Sequence, residues 1–184
     1  MRSGDPGARV VHEIIHLTML GGFRVRLPGV LLVEGHLATK AAALLKILAL
    51  RSHHEAHRDE LAETLWPNQD SARAYNNVYK AIHHIRSSVG GANGDYRDLV
   101  TLRKGIVRLA PWVNVDLDVF LAAAKDARER KTFDAYDRAI ELGSPELLPC
   151  NQYDDWRNES QHELRELMAE LEAERGNLSA RQRQ

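Results

Sequence analysis

Between Asp70 and Gly90 the chain reads DSARAYNNVYKAIHHIRSSVG, and this segment limits the folds open to it. Ala74, Val78, Ala81, Ile82, Ile85 and Val89 recur at helical spacing and form one narrow apolar stripe. The opposite face carries Arg73, Asn76, Lys80, His83, His84 and Ser87, with Asn77 beside them, and no acidic residue. Arg, Lys, Asn and His donate to phosphates and base edges, whereas a carboxylate there would repel a nucleic-acid backbone. Taken alone, the face fits an ordinary solvated helix surface equally well. Its neighbours in the chain separate the two readings.

Residues 14–20 and 23–27 read as two short strands around Gly21-Gly22, and 31–34 as a third after the Pro28-Gly29 turn. Thr39 reads as the N-cap of an Ala/Leu-rich, largely buried helix over 40–51. Residues 53–57 read as a link. A short helix over 58–65 stops at Trp66-Pro67, because proline discourages the preceding residue from continuing a helix. Asp70 or Ser71 caps the long helix, and the Gly-rich run 90–94 ends it in a loop. Residues 99–102 and 106–109 alternate apolar and polar around Arg103-Lys104-Gly105, which predicts a hairpin with a basic tip. A small sheet, three helices and a hairpin make an α+β winged helix-turn-helix, with the long helix second in its turn motif. The wing sets Arg103 and Lys104 beside that helix, where such a tip can enter a minor groove or clamp phosphates. On its own, Arg103-Lys104 is also an ordinary solvated turn.

After Pro111 the pattern is helices only, at 116–130, 133–142 and 153–174, with 144–152 as a turn region. Antiparallel helices of this length are the unit of helical repeats, so an all-α, TPR-like segment is expected there. The expected organisation is a winged helix domain at 13–110, a helical segment at 113–178, and flexible ends at 1–12 and 179–184. Charge divides the same way. Residues 1–110 hold 15 basic and 10 acidic side chains, and 111–184 hold 10 and 16, within a net charge of −1. The basic half suits a polyanion and the acidic half a protein. A balance of +5 is modest, so DNA binding through it would be salt-sensitive.

Other function classes find little in the residues. No apolar run reaches the ~20 residues of a membrane span, and the start lacks the apolar stretch of a secretory signal. One cysteine, Cys150, excludes a disulfide framework and points to the cytoplasm; beside Pro149 and without a visible partner it reads as an inert thiol. There is no phosphate-binding Gly-rich loop with Lys-Ser/Thr, no HExxH and no GxSxG, so no catalytic residue, metal or cofactor is expected. Asp116 with Asp118, and Asp154 with Asp155, sit at helix starts and read as dipole-favoured caps. His53, His54 and His57 lack further ligands for a tetrahedral metal site and read better as a loop approaching phosphates. His83 and His84 point ~100° apart on a helix, which also disfavours a shared metal. Trp66, Trp112 and Trp156 read as packing residues.

Several segments in this order resemble the Streptomyces antibiotic regulatory protein family of bacterial transcriptional activators. LTMLGGFRV (17–25) resembles the opening strands of its OmpR-type winged helix, TKAAALLKILAL (39–50) the first helix, and RDELAETLWPNQD (58–70) the second helix with its Trp-Pro loop. ARAYNNVYKAIHHIRSSVG (72–90) resembles the recognition helix. VDLDVFLAAA (115–124) and LLPCNQYDDWRNESQHELRELMAEL (147–171) resemble parts of the bacterial transcriptional activator domain. Each motif is weak alone; the shared order across residues 17–171 is the stronger signal. The resemblance implies a non-enzymatic, sequence-specific activator that binds double-stranded promoter DNA and contacts RNA polymerase subunits, the latter through the loop at 66–70. Arg73, Asn76, Asn77, Lys80, His83, His84, Arg103 and Lys104 are the expected DNA contacts, with Lys40 at its helix start a further phosphate candidate. Residues 113–184 would modulate activity, form a homodimer or bind a partner. Two departures stand out: Tyr79 where the family commonly has Arg, and His83-His84 where it more often has Ser or Arg. That activator domain also normally has more helices than fit before Gln184. The alternatives are a protein-interaction module whose winged helix no longer binds DNA, and a regulator that senses a small molecule between its two parts.

Overall fold

A computed structural model of the chain describes residues 14–33, 35–89, 96–151 and 154–181, and these form two small sheets and six α-helices. The expected loop at 90–94, the expected end at 1–12 and residues 182–184 of the end expected at 179–184 lie outside the described residues. The first sheet has the order β3 (Val30–Val33), β2 (Arg24–Leu27), β1 (Ile15–Thr18), β7 (Val113–Val115). Its first three strands are antiparallel, and β7 runs parallel to β1 with Ile15 opposite Val113 and Leu17 opposite Val115. Alternation decides its faces: Ile15, Leu17, Val25, Leu27, Val113 and Val115 are buried, whereas His16, Arg24, Arg26 and Asn114 point outward and are exposed.

Helix α1 (Thr39–Leu50, 12 residues) is buried along most of its length because Ala, Leu and Ile fill most of its positions. Thr39 is its first helical residue rather than its cap; Ala38 holds the cap position and offers no side-chain bond. Helix α2 (Arg58–Leu65) ends before Trp66-Pro67 as expected. Helix α3 (Ser71–Val89) buries Ala74, Val78, Ala81, Ile82, Ile85 and Val89, the stripe legible in the sequence. Asp70 caps it by accepting the Arg73 N–H at 3.0 Å.

The second sheet has the order β4 (Glu55–His57), β6 (Ile106–Leu109), β5 (Val100–Arg103). The link expected at 53–57 is thus partly a strand. It escapes the sequence pattern because it is only three residues long and polar at both ends. Strands β5 and β6 form the expected hairpin, closed by Lys104 and Gly105 at φ of 51° and 81°. A two-residue turn of this hand needs positive φ at both positions.

The chain beyond Pro111 is not helices only, because β7 precedes them and joins the first sheet. Helices α4 (Asp116–Arg130), α5 (Phe133–Gly143) and α6 (Asp155–Arg181) follow, with α5 packed against both others. Helix α6 runs past 178 to Arg181. Gly143 sits where the three helices meet: a Cβ there would lie 2.3 Å from Phe120 Cε2 and 2.4 Å from Met168 Sδ.

Three contacts join this helical part to the first sheet. The Asp116 carboxylate accepts the Met19 and Leu20 N–H groups at 2.8 and 2.9 Å, so it anchors a distant turn rather than merely capping α4. The Gly21 N–H donates to Glu146 O at 2.8 Å, and the Leu148 N–H donates to Met19 O at 3.0 Å. Buried Arg157 holds that second segment by donating to Leu147 O, Glu146 and Gln161 at 2.6–2.8 Å. The Lys46 ammonium, buried within α1, donates to Asn151 Oδ1 at 2.7 Å and lies 4.8 Å from the centre of the Phe23 ring.

Burial pushes the Asp116 carboxyl above the ordinary carboxylate value, outweighing the lowering by its backbone hydrogen bonds. A raised folded-state pKa favours the protonated form, so this group's contribution to stability falls as pH rises from the ordinary carboxylate value through the raised one. Asp116→Ala leaves two buried N–H groups without acceptors and should lower unfolding free energy by about 2–4 kcal/mol in denaturant titration near neutral pH. Gly143→Ala, which overpacks the meeting point of the helices, should lower it by about 1–3 kcal/mol.

Candidate nucleic-acid interface

The exposed face of α3 holds Arg73, Asn76, Lys80, His83 and His84 in one surface row, because these positions lie opposite the buried stripe. Among the described residues, no hydrogen-bond or ion-pair partner engages the side chains of Asn76, Lys80, His83 or His84. Two neighbours are less free. Arg73 pairs with Asp70 at 3.3 Å, an exposed contact worth little against solvent. The half-buried Asn77 donates to Gln69 Oε1 at 2.6 Å, which ties it to the loop before the helix.

The hairpin is held to α3 by an arginine that the sequence reading left out of the site. Arg86 donates to Val100 O from Nε at 3.2 Å and from a terminal guanidinium nitrogen at 2.8 Å. This charged two-point bond satisfies a backbone carbonyl at the root of β5 and sets the hairpin's angle to the helix. Arg103 and Lys104, both exposed, stand at its tip.

A second arginine ties the other end. The Arg58 N–H, at the start of α2, donates to Gly105 O at 2.8 Å. Its guanidinium stacks over the Tyr75 ring at 3.9 Å and bonds Asp59 at 3.1 Å. The Tyr79 hydroxyl and then the Asp59 carboxylate hold the Arg58 pKa above its ordinary value. Thus α2, α3 and the hairpin tip meet at one residue, the tip through the Arg58 backbone and α3 through its guanidinium. The sequence offered a signal, since Tyr75 and Tyr79 are one turn apart on α3, but it could not say that residue 58 lies over them.

Lys40 belongs elsewhere. It lines a cleft of about 630 Å³ between α1, α2 and the start of α6, whose walls include Lys46, Glu63, Asp154 and Trp156 and no residue of α3. Of the histidines at 53–57, His54 differs from its expected role. His54 bonds Asp118 at 2.7 Å, so it links the turn before β4 to α4 rather than reaching outward. Asp118 is therefore a partner for His54 rather than only a favourable charge at a helix start. Asp154 likewise accepts from the Asn151 side chain at 2.6 Å. No helix of the described residues is long and apolar enough to cross a membrane.

No protein-family model matches the chain, and no curated protein matches it. Among solved structures it is similar to Mycobacterium tuberculosis EmbR in complex with a low-affinity phosphopeptide, with a TM-score of 0.68 over 86% of this chain. Its fold is similar to that of EmbR. Identity is 18%, and the match spans 43% of the EmbR chain, so less than half of that protein is represented here. The likeness takes in the N-terminal strands and the helices that follow.

If Arg86 sets the hairpin's angle, Arg86→Leu should speed amide exchange across residues 100–109 while leaving α4–α6 protected. The loss of a charged hydrogen bond should also reduce stability by about 1.5–3 kcal/mol. Unchanged exchange in the hairpin would refute that role.

Proposed function

We propose that the chain is a sequence-specific DNA-binding transcriptional regulator of the activator type. Residues 13–110 act as a winged helix-turn-helix, with α3 as recognition helix and the β5–β6 hairpin as wing, and 113–178 as a partial TPR-like activator domain. The observation that carries this reading is the row of free cationic and amide side chains on α3, coupled through Arg86 and Arg58 to a basic hairpin tip. In this reading Lys80 and Arg73 position the helix on phosphates, and Asn76 or Asn77 contacts base edges with His83 and His84 beside them. Arg103 and Lys104 meet the backbone from the wing. The fold likeness to EmbR supports the architecture, and the motif order that resembles the Streptomyces antibiotic regulatory proteins supports promoter DNA and RNA polymerase as partners. Lys40, exposed at the start of α1 in a cleft apart from the α3 row, is a separate phosphate candidate. No step of this function calls for catalysis or a cofactor.

The reading is tested by selecting bound genomic fragments and titrating salt on the selected site. Log affinity should fall linearly with log salt, and Lys80→Ala should reduce the slope by about 1. Asn76→Ala with Lys80→Ala should abolish preference for the selected site while the melting temperature stays within about 2 °C, since both side chains are exposed and neither has a partner among the described residues. Absence of DNA binding even at about 50 mM salt would overturn the reading in favour of a protein-interaction module.

The cleft lined by Lys40 and Trp156 favours a second reading, a regulator that senses a small molecule between its parts. It predicts that a cell metabolite raises the melting temperature in proportion to log concentration above its dissociation constant, and that Trp156→Ala removes the shift.

A further inference from the structure

The outer face of the first sheet is cationic, and the DNA-binding proposal does not use it. Register places Arg26 between Leu31 and His16, with Asn114 next across β7; the adjoining row runs Val33, Arg24, Thr18. Arg24, Arg26 and His16 are exposed, and Leu31 is 48% exposed on the same side. The β7 end of this face opens into a groove of about 590 Å³ whose walls include His16, Asn114, Val119, Arg138, Glu141 and Leu142. Val119 is 39% exposed there.

Unpaired arginines gather on this face. Arg51, Arg58, Arg73, Arg108, Arg128, Arg130, Arg157, Arg165 and Arg175 each pair with a carboxylate. Among the described residues, Arg24, Arg26 and Arg138 have no such partner; Arg103 at the hairpin tip has none either, and Arg86 bonds a backbone carbonyl instead. The one carboxylate in the groove wall besides Glu141 is that of Asp116, already committed to two backbone N–H groups. Unpaired guanidinium groups on a rigid sheet retain their donors for an incoming anion.

We infer that this face docks an acidic, extended polypeptide segment of a partner protein, with an apolar side chain of that segment in the groove. Arg24 and Arg26 are two residues apart on one strand face, a separation of roughly 7 Å, which alternate side chains of an extended peptide also span. Carboxylates at such alternate positions meet the two guanidinium groups, and Arg138 takes a third at the groove. A polypeptide fits better than a nucleic acid because Leu31, Val33, Val119 and Leu142 border the cations, and these give a sugar-phosphate backbone nothing to contact. The face points away from the buried side of the sheet, so a segment bound here adds to whatever α3 binds and does not depend on the DNA reading.

The test uses the full chain and a fluorescein-labelled twelve-residue peptide alternating Glu with Leu and Ser, followed by fluorescence anisotropy. The peptide should bind, weaken as salt rises, and lose at least about tenfold affinity in Arg24→Gln with Arg26→Gln. Arg103→Gln, at the hairpin tip, should leave peptide affinity unchanged, and unaltered melting curves should show that both variants fold. The inference is overturned by no binding to the wild-type chain, by equal binding of a peptide with Gln in place of Glu, or by equal binding to the Arg24/Arg26 variant. It is also overturned if a duplex DNA probe shows the Arg24/Arg26 dependence instead, or if the double substitution changes the molecular mass in solution, which would make the face a self-association site.

Discussion

The turn at Met19–Gly21 is the hinge point on which both halves of the molecule depend. Its backbone bonds are met from outside: Asp116 takes the Met19 and Leu20 N–H groups, Glu146 O takes the Gly21 N–H, and Met19 O takes the Leu148 N–H. Backbone groups at a buried strand end must find partners, and here the helical part supplies them. Strand β7 continues the same logic by pairing its backbone with β1 just before α4 begins. The two parts consequently share a sheet and a hydrogen-bonded turn, a far stiffer joint than a linker of a few residues.

A similar economy shapes the candidate interface. The long helix could pack correctly on its apolar stripe and still leave the hairpin at any of several angles. Arg86 and Arg58 remove that freedom, one at the root of the hairpin and one at its tip. Each spends a cation on backbone carbonyls or on a tyrosine shelf instead of presenting it to solvent. The surface row on α3 is correspondingly short of charge, and its amide and imidazole side chains carry more of the recognition proposed for it.

The stripe on α3, the stop at Trp66-Pro67, the boundaries of α4 and the hairpin around Lys104-Gly105 were legible because each rests on local chemistry: helical periodicity, proline geometry and turn preference. Strands β4 and β7 were not, because three-residue strands carry too little alternation and exist only through the partners beside them. Among the site residues, exposure of Asn76, Lys80, His83 and His84 followed from the helical period. The diversion of Asn77 to Gln69, of His54 to Asp118 and of Lys40 into a cleft required knowing what lies across space.

By itself, then, the sequence determined which residues must be buried and which side chains face outward along each helix, since side-chain period and solvent preference act over a few residues. Only the tertiary structure decided which of those outward groups remain free. A side chain's availability depends on whether a partner, often dozens of positions away, satisfies its hydrogen-bonding capacity first. Asp116 and Lys46 show this most directly: one reads as a helix cap and the other as one residue of a largely buried helix, and both turn out to hold the two halves together.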